Sequence, residues 1–393
     1  MLQNHLPQLQ SIKLYFCPMR IVVNTRFLQK DNLEGYGHYI NELLQRITKQ
    51  NLQHQFLFLF DKPFDASFIY SQNITSQILT PAARHGISFR YWYDVKLTRA
   101  AKKFKADVIV SLDGFCSLTI SIPQVVAVHD LAFLHYPKFI STYHLWFYKL
   151  HQKKFINKAK HVVTVSEFSK QDIVQQYKIA PEKISIVSNA AREIFVPITY
   201  TEKENIKTQY ANGNEYFLFV GGIHPRKNLM HLLKAFSVFK KRQQSNMKIL
   251  VVGRLAWQYD TLIQQLKTYK YREDIVLLNY LQDDELAKIL AAAYALIYPS
   301  FFEGFGVPII EAMQCGVPVI ASNTSSMPEV GGNAALYASP TDVNELAEQM
   351  MQLYKNETMR NQMIQLGFTQ SAKFSWDESA KKLWQIIEGV SKK

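Results

Sequence analysis

Two glutamates in the second half of the chain have a spacing that suits a ligand site. Glu303 and Glu311 are separated by seven residues, and the apolar run 295–298 precedes them. The run is predicted to be a buried parallel strand, and Pro308 is predicted to take the first position of the next helix. Glu303 would then follow the carboxyl end of the strand, with Glu311 in the first turns of the helix. At that edge of a sheet, carboxylates can accept hydrogen bonds from sugar or ribose hydroxyls, and helix N–H groups favour a phosphate.

A second motif adds positive charge at the same predicted edge. Gly221 and Gly222 follow another predicted strand and permit close backbone approach. Arg226 and Lys227 come next, just before a helix predicted to start near Asn228. Two cations there can neutralise a diphosphate leaving group as its negative charge grows. Because a glycine pair with basic residues also occurs at ordinary helix starts, the motif gains weight from sharing this edge with the two glutamates.

The first half supplies further candidates. His129 directly follows the predicted strand 125–128, and Asp130 comes next. Strand carboxyl ends face the ligand in such sheets, so His129 is interpreted as a cleft residue; the alternative is a structural imidazole bonded to a carbonyl. Asp130 is expected either to orient the ring or to accept a hydrogen bond from a substrate. Ser166 is interpreted as the N-cap of a helix whose start faces the same cleft.

These residues need sheet edges to hold them, and both halves of the chain alternate short apolar runs with helical patterns. Such alternation predicts parallel sheets covered by helices on both faces. The predicted strands are 20–24, 56–60, 108–111, 125–128, 162–165, 184–187, 217–220, 248–252, 275–278, 295–298 and 317–321. The predicted fold class is therefore α/β, with two doubly wound, Rossmann-like domains facing each other across a cleft.

The length of 393 residues exceeds what one hydrophobic core usually serves, which favours two domains. The polar stretch 199–213 is the best candidate boundary. We expect a first domain over 1–198, a second over 199–373, and a C-terminal helix within 374–393 that packs back toward the first domain.

Composition indicates a globular protein, with 48% apolar and 20% charged residues. No run approaches the roughly 18 apolar residues needed to span a bilayer. The first residues lack the pattern of a secretory signal, and the three cysteines lie far apart without CxxC spacing. We therefore expect a cytoplasmic protein without a zinc site or a disulfide framework.

Positive charge is concentrated in the first half. Residues 1–196 contain 24 basic and 13 acidic side chains, against 21 and 19 in residues 197–393. Much of the excess lies between His144 and Lys170, where lysines alternate with aromatic residues. Such a face suits the anionic inner surface of the cell membrane, or it is a solvated helix face that only confers solubility. We expect no nucleic-acid partner.

Taken together, the two motifs of the second half resemble the retaining glycosyltransferases of family 4, the group 1 glycosyltransferases, which have the GT-B fold. The resemblance covers most of the chain and is densest over 216–340. It implies that Glu311 holds the ribose, that Glu303 contacts the donor sugar or supports the reaction centre, and that Arg226 and Lys227 bind the diphosphate. It also assigns donor contacts to the glycines and to the residues between the glutamates: Gly221, Gly222, Gly304, Phe305, Gly306 and Val307.

In the first half, the resemblance implies that His129 reaches the donor sugar or the reaction centre, with Asp130 beside it. The loop of Gly35, Tyr36 and Gly37 would lie near the donor phosphates and the acceptor. The family relies on basic residues and helix dipoles, so neither a metal ion nor another cofactor is expected.

The implied activity is transfer of a hexose from a nucleotide diphosphate sugar to a glycan or lipid-linked acceptor, with retention of anomeric configuration. The segments around 128–130 and 224–228 are most similar to mannosyl- or rhamnosyltransferases of polysaccharide and lipopolysaccharide assembly. Two alternatives are a sugar-nucleotide epimerase of similar shape and a catalytically silent subunit that binds the nucleotide sugar. Residues 1–18 are expected to be an extension or the result of a misplaced start, since the family pattern begins near Met19.

Overall fold

The computed structural model describes residues 18–30, 33–83, 86–254, 264 and 266–391. Their first parallel sheet has seven strands: β1 (Arg20–Asn24), β2 (Gln55–Phe60), β3 (Ile74–Ile78), β4 (Val108–Ser111), β5 (Gln124–Ala127), β6 (His161–Thr164) and β7 (Ile184–Ile186). The spatial order is β3-β2-β1-β4-β5-β6-β7. Because the order reverses beside β1, the crevice beyond the carboxyl ends of β1 and β4 is the expected ligand position.

The second sheet contains six parallel strands: β8 (Tyr216–Val220), β9 (Lys248–Val252), β10 (Ile275–Leu278), β11 (Ala295–Tyr298), β12 (Val319–Ser322) and β13 (Ala335–Ala338). Their spatial order is β10-β9-β8-β11-β12-β13, which again reverses in the middle, between β8 and β11. The strands that carry the two predicted motifs are therefore neighbours, with Ala295 of β11 opposite Phe217 of β8.

Helices cover both sheets. The first sheet is followed or preceded by α1 (Gly35–Gln50), α2 (Gly86–Tyr91), α3 (Thr98–Phe104), α4 (Ala132–His135), α5 (Thr142–Lys158) and α6 (Glu167–Tyr177). The second is accompanied by α7 (Tyr200–Ala211), α8 (Leu229–Gln243), α9 (Asp283–Ala292), α10 (Val307–Gln314), α11 (Met327–Gly331), α12 (Val343–Lys355) and α13 (Glu357–Ser371), and α14 (Trp376–Ser391) ends the described chain. We call the first sheet with α1–α6 and α14 the first lobe, and the second sheet with α7–α13 the second lobe.

The helix α14 packs on the first lobe although it follows the second in sequence. Trp376 lies against Tyr39 of α1, with 6.0 Å between ring centroids. Ser379 Oγ donates a hydrogen bond of 2.8 Å to the carbonyl of Ser188. The chain therefore crosses between the lobes twice, once between β7 and α7 and once between α13 and α14.

The predicted architecture of two doubly wound sheets is confirmed, and each predicted strand overlaps a strand of the structure. The prediction missed β3 and β13, which are the edge strands of their sheets. Edge strands pair on one side only, so they need no continuous apolar run, and β3 has one buried residue in five. The other missed strand, β13, is apolar but only four residues long. Pro308 is the second residue of α10, whose first is Val307, so its predicted place was wrong by one position. In the described part of the chain, no helix has both the length and the apolar character required to cross a membrane.

Candidate active site

The two basic residues of the second lobe lie on a short 3₁₀ turn, Pro225–Lys227, after β8. Asn228 follows in a left-handed conformation, with φ of 61°, and its side-chain amide donates to the carbonyls of Pro299 (3.0 Å) and Pro340 (2.8 Å). These two bonds fix the turn beside the loop that follows β11. The cations therefore lie on a rigid support rather than on a free loop.

Arg226 and Lys227 both point at Glu303. Arg226 Nη1 lies 3.0 Å from Glu303 Oε2, and Lys227 Nζ lies 2.7 Å from Glu303 Oε1. Lys227 also donates to the hydroxyl of Tyr298 at 2.8 Å, and Arg226 donates to the carbonyl of Phe302. Burial alone would raise the pKa of Glu303, but the charges of Arg226 and Lys227 outweigh it and lower that pKa to about 2. Glu303 is therefore ionised.

Side-chain hydroxyls hold the loop that carries Glu303. Ser326 Oγ lies 2.8 Å from the carbonyl oxygen of Glu303 and 2.9 Å from that of Phe305, and Ser325 Oγ accepts from the Glu303 N–H at 3.0 Å. Gly306 then adopts a φ of +105°, which favours glycine, and starts α10. Residues of the second lobe thus form hydrogen bonds with most of the polar backbone groups of this loop.

Glu311 has a partner that the sequence analysis missed. Its Oε1 accepts a hydrogen bond of 2.8 Å from Arg192 Nε, and Arg192 Nη1 lies 2.7 Å from Asp283. Burial raises the pKa of Glu311, although the charge of Arg192 opposes the rise. Arg192 belongs to the segment after β7 that leads to the second lobe, so this ion pair joins the two lobes. In the sequence, only one observation could have pointed to Arg192: it is a charged residue in a segment that follows the end of a predicted strand.

His129 lies where the sequence predicted, just beyond β5. Its Nε2 donates a hydrogen bond of 3.0 Å to the carbonyl of Leu112, since a carbonyl can only accept. Burial lowers the pKa of His129 and favours the neutral ring, in which Nδ1 carries the lone pair. The rings of Tyr36 and Tyr39 meet the imidazole edge to face, with centroid distances of 4.5 and 4.8 Å.

Asp130 has a different contact from the one expected for orienting the imidazole. Its Oδ1 accepts a hydrogen bond of 2.9 Å from the N–H of Ala132, the first residue of the short helix α4. Among the described residues, no hydrogen bond joins Asp130 to the ring of His129, which the Leu112 carbonyl orients instead. Asp130 remains available to a substrate because it lines the cavity described next.

A cavity of about 500 Å³ lies between the lobes, mostly on the first. Tyr36, His129, Asp130 and Arg226 are the predicted site residues that line it. Aromatic side chains form the largest group in its wall: Phe27, Tyr36, Phe89, Phe115, Phe133, Tyr136, Phe139, Tyr143, Phe147 and Tyr148. The described lining does not include Lys227, Glu303 or Glu311. It does include Arg226, through which Lys227 and Glu303 adjoin the cavity. The cavity therefore joins an aromatic chamber to the edge of the charged cluster.

Arg26 and Asp113 form a buried ion pair in the wall of this cavity, and the sequence analysis missed both. Arg26 Nε lies 2.7 Å from Asp113 Oδ2, which also accepts from Tyr93 OH (2.6 Å) and Asn24 Nδ2 (2.8 Å). The guanidinium lies within 6 Å of four rings, the nearest being Phe27 at 4.7 Å. Arg26 follows β1 and Asp113 follows β4, so the rule that selected His129 could also have selected them.

The predicted glycines differ in how strongly the structure requires them. Gly37 lies so close to the carbonyl of Phe27 that a Cβ would approach it to 2.9 Å, whereas a Cβ on Gly35, the first residue of α1, would meet no atom of the described residues within 4 Å. Gly221 has a φ of +141° and lies beside the Lys227 side chain, and a Cβ on Gly222 would likewise meet no described atom within 4 Å.

Comparison with known proteins shows the family of the chain. Residues 33–192 match the family described as Glycosyltransferase Family 4, and residues 201–370 match Glycosyl transferases group 1. The chain is 31% identical over 254 residues to O-antigen chain mannosyltransferase B of Escherichia coli, covering 64% of this chain and 67% of that protein. It is 34% identical over 220 residues to O-antigen chain mannosyltransferase RfbU of Salmonella typhimurium, covering 56% of this chain and 57% of the relative.

Among solved structures, WaaG, a glycosyltransferase involved in lipopolysaccharide biosynthesis, is similar with a TM-score of 0.73 at 14% identity. That similarity covers 94% of this chain and all of WaaG, and it concerns the fold. The chain belongs to the group 1 glycosyltransferases of family 4. It is a glycosyltransferase with the GT-B fold.

Proposed function

We propose that the protein transfers a hexose, with mannose favoured, from a nucleotide diphosphate sugar to a glycan or lipid-linked acceptor in cell-surface polysaccharide or lipopolysaccharide assembly. The observation that carries the proposal is the convergence of Arg226 and Lys227 on Glu303 at the edge of the cavity that contains His129. The similarity to proteins named O-antigen mannosyltransferases supports the mannosyl group.

In the proposed reaction, the donor diphosphate replaces Glu303 as a partner of Arg226 and Lys227. The cations then stabilise the negative charge that grows on the leaving group, which is the transition-state interaction that accelerates transfer. Since two basic side chains already supply positive charge, the proposal requires no divalent ion. Addition of a strong chelator should therefore leave the transfer rate unchanged.

Glu303 and Glu311 are proposed to bind hydroxyls at the two ends of the donor. Glu311 has one oxygen bonded to Arg192, and its other oxygen can accept from a ribose hydroxyl. Glu303, released in part from its cations, can accept from the donor sugar. His129 presents the lone pair of Nδ1 to a sugar hydroxyl. A departing phosphate oxygen takes the acceptor proton on the same face of the sugar, which gives retention.

The acceptor is proposed to occupy the aromatic chamber, where ring faces suit the C–H surface of a saccharide. The chamber wall continues into an exposed face of α5, since Tyr143 lines the cavity and is also 49% exposed. Trp146 and Leu150 follow on that face with 61% and 42% exposure, among the lysines of α5. We propose that this face contacts the anionic inner surface of the cell membrane and that a lipid-linked acceptor enters from there.

Calorimetry against GDP, UDP and dTDP tests the donor class, and incubation with GDP-mannose and a mannose-terminated saccharide tests transfer. We expect one nucleotide to bind at least about tenfold more tightly than the others, and the product to keep the anomeric configuration of the donor in its NMR spectrum. Interconversion of the donor without any acceptor would favour an epimerase. Nucleotide binding without transfer to any saccharide or lipid-linked acceptor would contradict the proposal.

A further inference from the structure

The start of helix α6 in the first lobe meets the Glu303 loop of the second lobe through Ser166. The Ser166 hydroxyl accepts from the N–H of Ser169 at 3.1 Å, which is the N-cap role predicted from sequence. The same hydroxyl donates to the carbonyl of Gly304 at 2.7 Å. A hydroxyl has one hydrogen and two lone pairs, so Ser166 can cap its own helix and bind the opposite lobe at once.

Ser169 reaches the same place from one turn further along α6. Its Oγ lies 3.0 Å from the carbonyl of His129 and 3.2 Å from the carbonyl of Gly304. One buried hydroxyl thus lies between the backbone of the loop that carries His129 and the backbone of the loop that carries Glu303. Among the described residues, the second lobe provides no hydrogen-bond partner for the Gly304 carbonyl, which is bound by these two serines of the first lobe.

A carboxylate of the second lobe completes the contact. Glu329, in α11, accepts from the N–H groups of Glu167 at 2.8 Å and Phe168 at 2.9 Å. These are the first two residues of α6, whose N–H groups have no partner within the helix, and the helix dipole favours an anion there. The helix start that faces the cleft is therefore occupied by Glu329 of the opposite lobe.

Close backbone approach accompanies these bonds. A Cβ on Gly304 would lie 2.5 Å from the carbonyl oxygen of His129 and 3.0 Å from Cβ of Asp130. The neighbouring Phe302 is buried between lobes, with its ring 5.0 Å from that of His135 and 5.5 Å from that of Phe168. The two catalytic loops meet this closely only while the lobes are together.

We propose that Ser166, Ser169 and Glu329 form an interlobe latch, which holds the Gly304 carbonyl against α6 and fixes the Glu303 loop over His129 during each turnover. They are positioning residues, because they bind the backbone of the reactive loops rather than substrate. When the lobes separate, water replaces all of these bonds, so the latch favours the closed arrangement only modestly and still permits product release. The latch adds to the proposed function, and it requires only that transfer takes place with the lobes closed.

The test uses the full chain with Ser166→Ala and Ser169→Ala together, and separately with Glu329→Ala. Loss of hydrogen bonds of this kind changes an equilibrium by about fivefold to tenfold. We expect kcat for transfer to fall by about that factor, while the affinity for GDP or UDP measured by calorimetry changes by less than about threefold. The latch binds the backbone carbonyl of Gly304 and leaves Arg226, Lys227 and Glu311 with their own partners. Small-angle scattering with saturating nucleotide should show a larger radius of gyration than in the unmodified protein.

Two further variants, together with Glu329→Ala, separate positioning from folding. Ser166→Thr keeps the hydroxyl, so this single variant should retain the kcat of the unmodified protein. Ser237→Ala removes a hydroxyl that bonds the Leu233 carbonyl within its own helix and the Tyr269 hydroxyl, neither of them in the cavity lining, and should change neither kcat nor scattering. Glu329→Ala leaves the Ser166 cap in place, so it tests the latch even if the double serine variant does not fold. Unchanged kcat and unchanged scattering in Glu329→Ala would overturn the latch. If the unmodified protein transferred nothing and Glu329→Ala still had a larger radius of gyration, the result would support the latch and count against the proposed function.

Discussion

The two sides of the cleft differ in how their charged residues are paired and in what surrounds them. In the second lobe, Arg226, Lys227 and Glu303 satisfy one another before any ligand arrives. In the first lobe, Arg26 and Asp113 are also paired, but aromatic rings surround them and leave an open cavity. Under the proposed function, the charged side must exchange partners to bind a diphosphate, whereas the aromatic side only has to admit a ligand.

This difference predicts how the two sides respond to substitution. An exchange of charge partners affects the transition state, because the charge on the leaving group is largest there. An aromatic chamber contributes to binding before the reaction, and its loss should appear in the KM of the acceptor. Substitutions on the charged side should therefore change kcat, and substitutions around Asp113 should change the acceptor KM.

The largest expected effect is that of Arg226→Ala. The change removes one of the two cations proposed to bind the leaving group and leaves Glu303 with Lys227 alone. Removing one electrostatic contact of this kind costs about hundredfold to thousandfold in kcat, as measured by initial rates at saturating acceptor. Arg272→Ala is the matched control, because Arg272 forms an exposed pair with Glu273 at 3.1 Å. If Arg226→Ala raised only the acceptor KM, the assignment of the two sides would be wrong.

A smaller effect is expected for Asp113→Asn. The asparagine keeps the shape of the side chain but leaves the Arg26 guanidinium without its counter-ion among the aromatic rings. We expect the acceptor KM to rise by about tenfold and the nucleotide affinity to stay constant, as measured by kinetics and calorimetry. Asp65→Asn, which alters an exposed pair with Lys30 on the same lobe, should leave both quantities unchanged. A tenfold loss of nucleotide affinity in Asp113→Asn would contradict the separation.

The smallest effect concerns pH. Burial lowers the pKa of His129 below its ordinary value of 6.5, so the ring is neutral above that pH in the folded protein. We expect kcat/KM to stay constant from pH 8 to pH 7 and to decline only as pH falls below 6.5, where His129 gains a proton. The stability that its neutral form contributes is likewise present above pH 6.5 and lost as pH falls toward the lowered pKa. A decline centred above pH 7 that disappears in His129→Ala would show that the imidazole reacts as a charged group.

The sequence predicted the sheets and the cleft from the alternation of apolar runs with helical patterns. It predicted the grouping of Arg226 and Lys227 near Glu303 because both motifs follow strands that end at the same sheet edge. It did not predict the pairing of Glu311 with Arg192, since Arg192 follows a strand of the other lobe and the contact depends on how the lobes meet. It recognised Ser166 as a cap but could not reveal its bond to Gly304, which depends on how the lobes meet. Residues 1–17, part of the suggested N-terminal extension, lie outside the described residues.

The return of α14 to the first lobe has a mechanical consequence. Two covalent connections, one after β7 and one after α13, tie the lobes together at separate points. Bodies joined at two points rotate freely about the line between those points and resist twisting about other axes. The lobes should therefore open by rotation about one axis. Removal of α14 should leave a protein whose lobes sample many relative orientations.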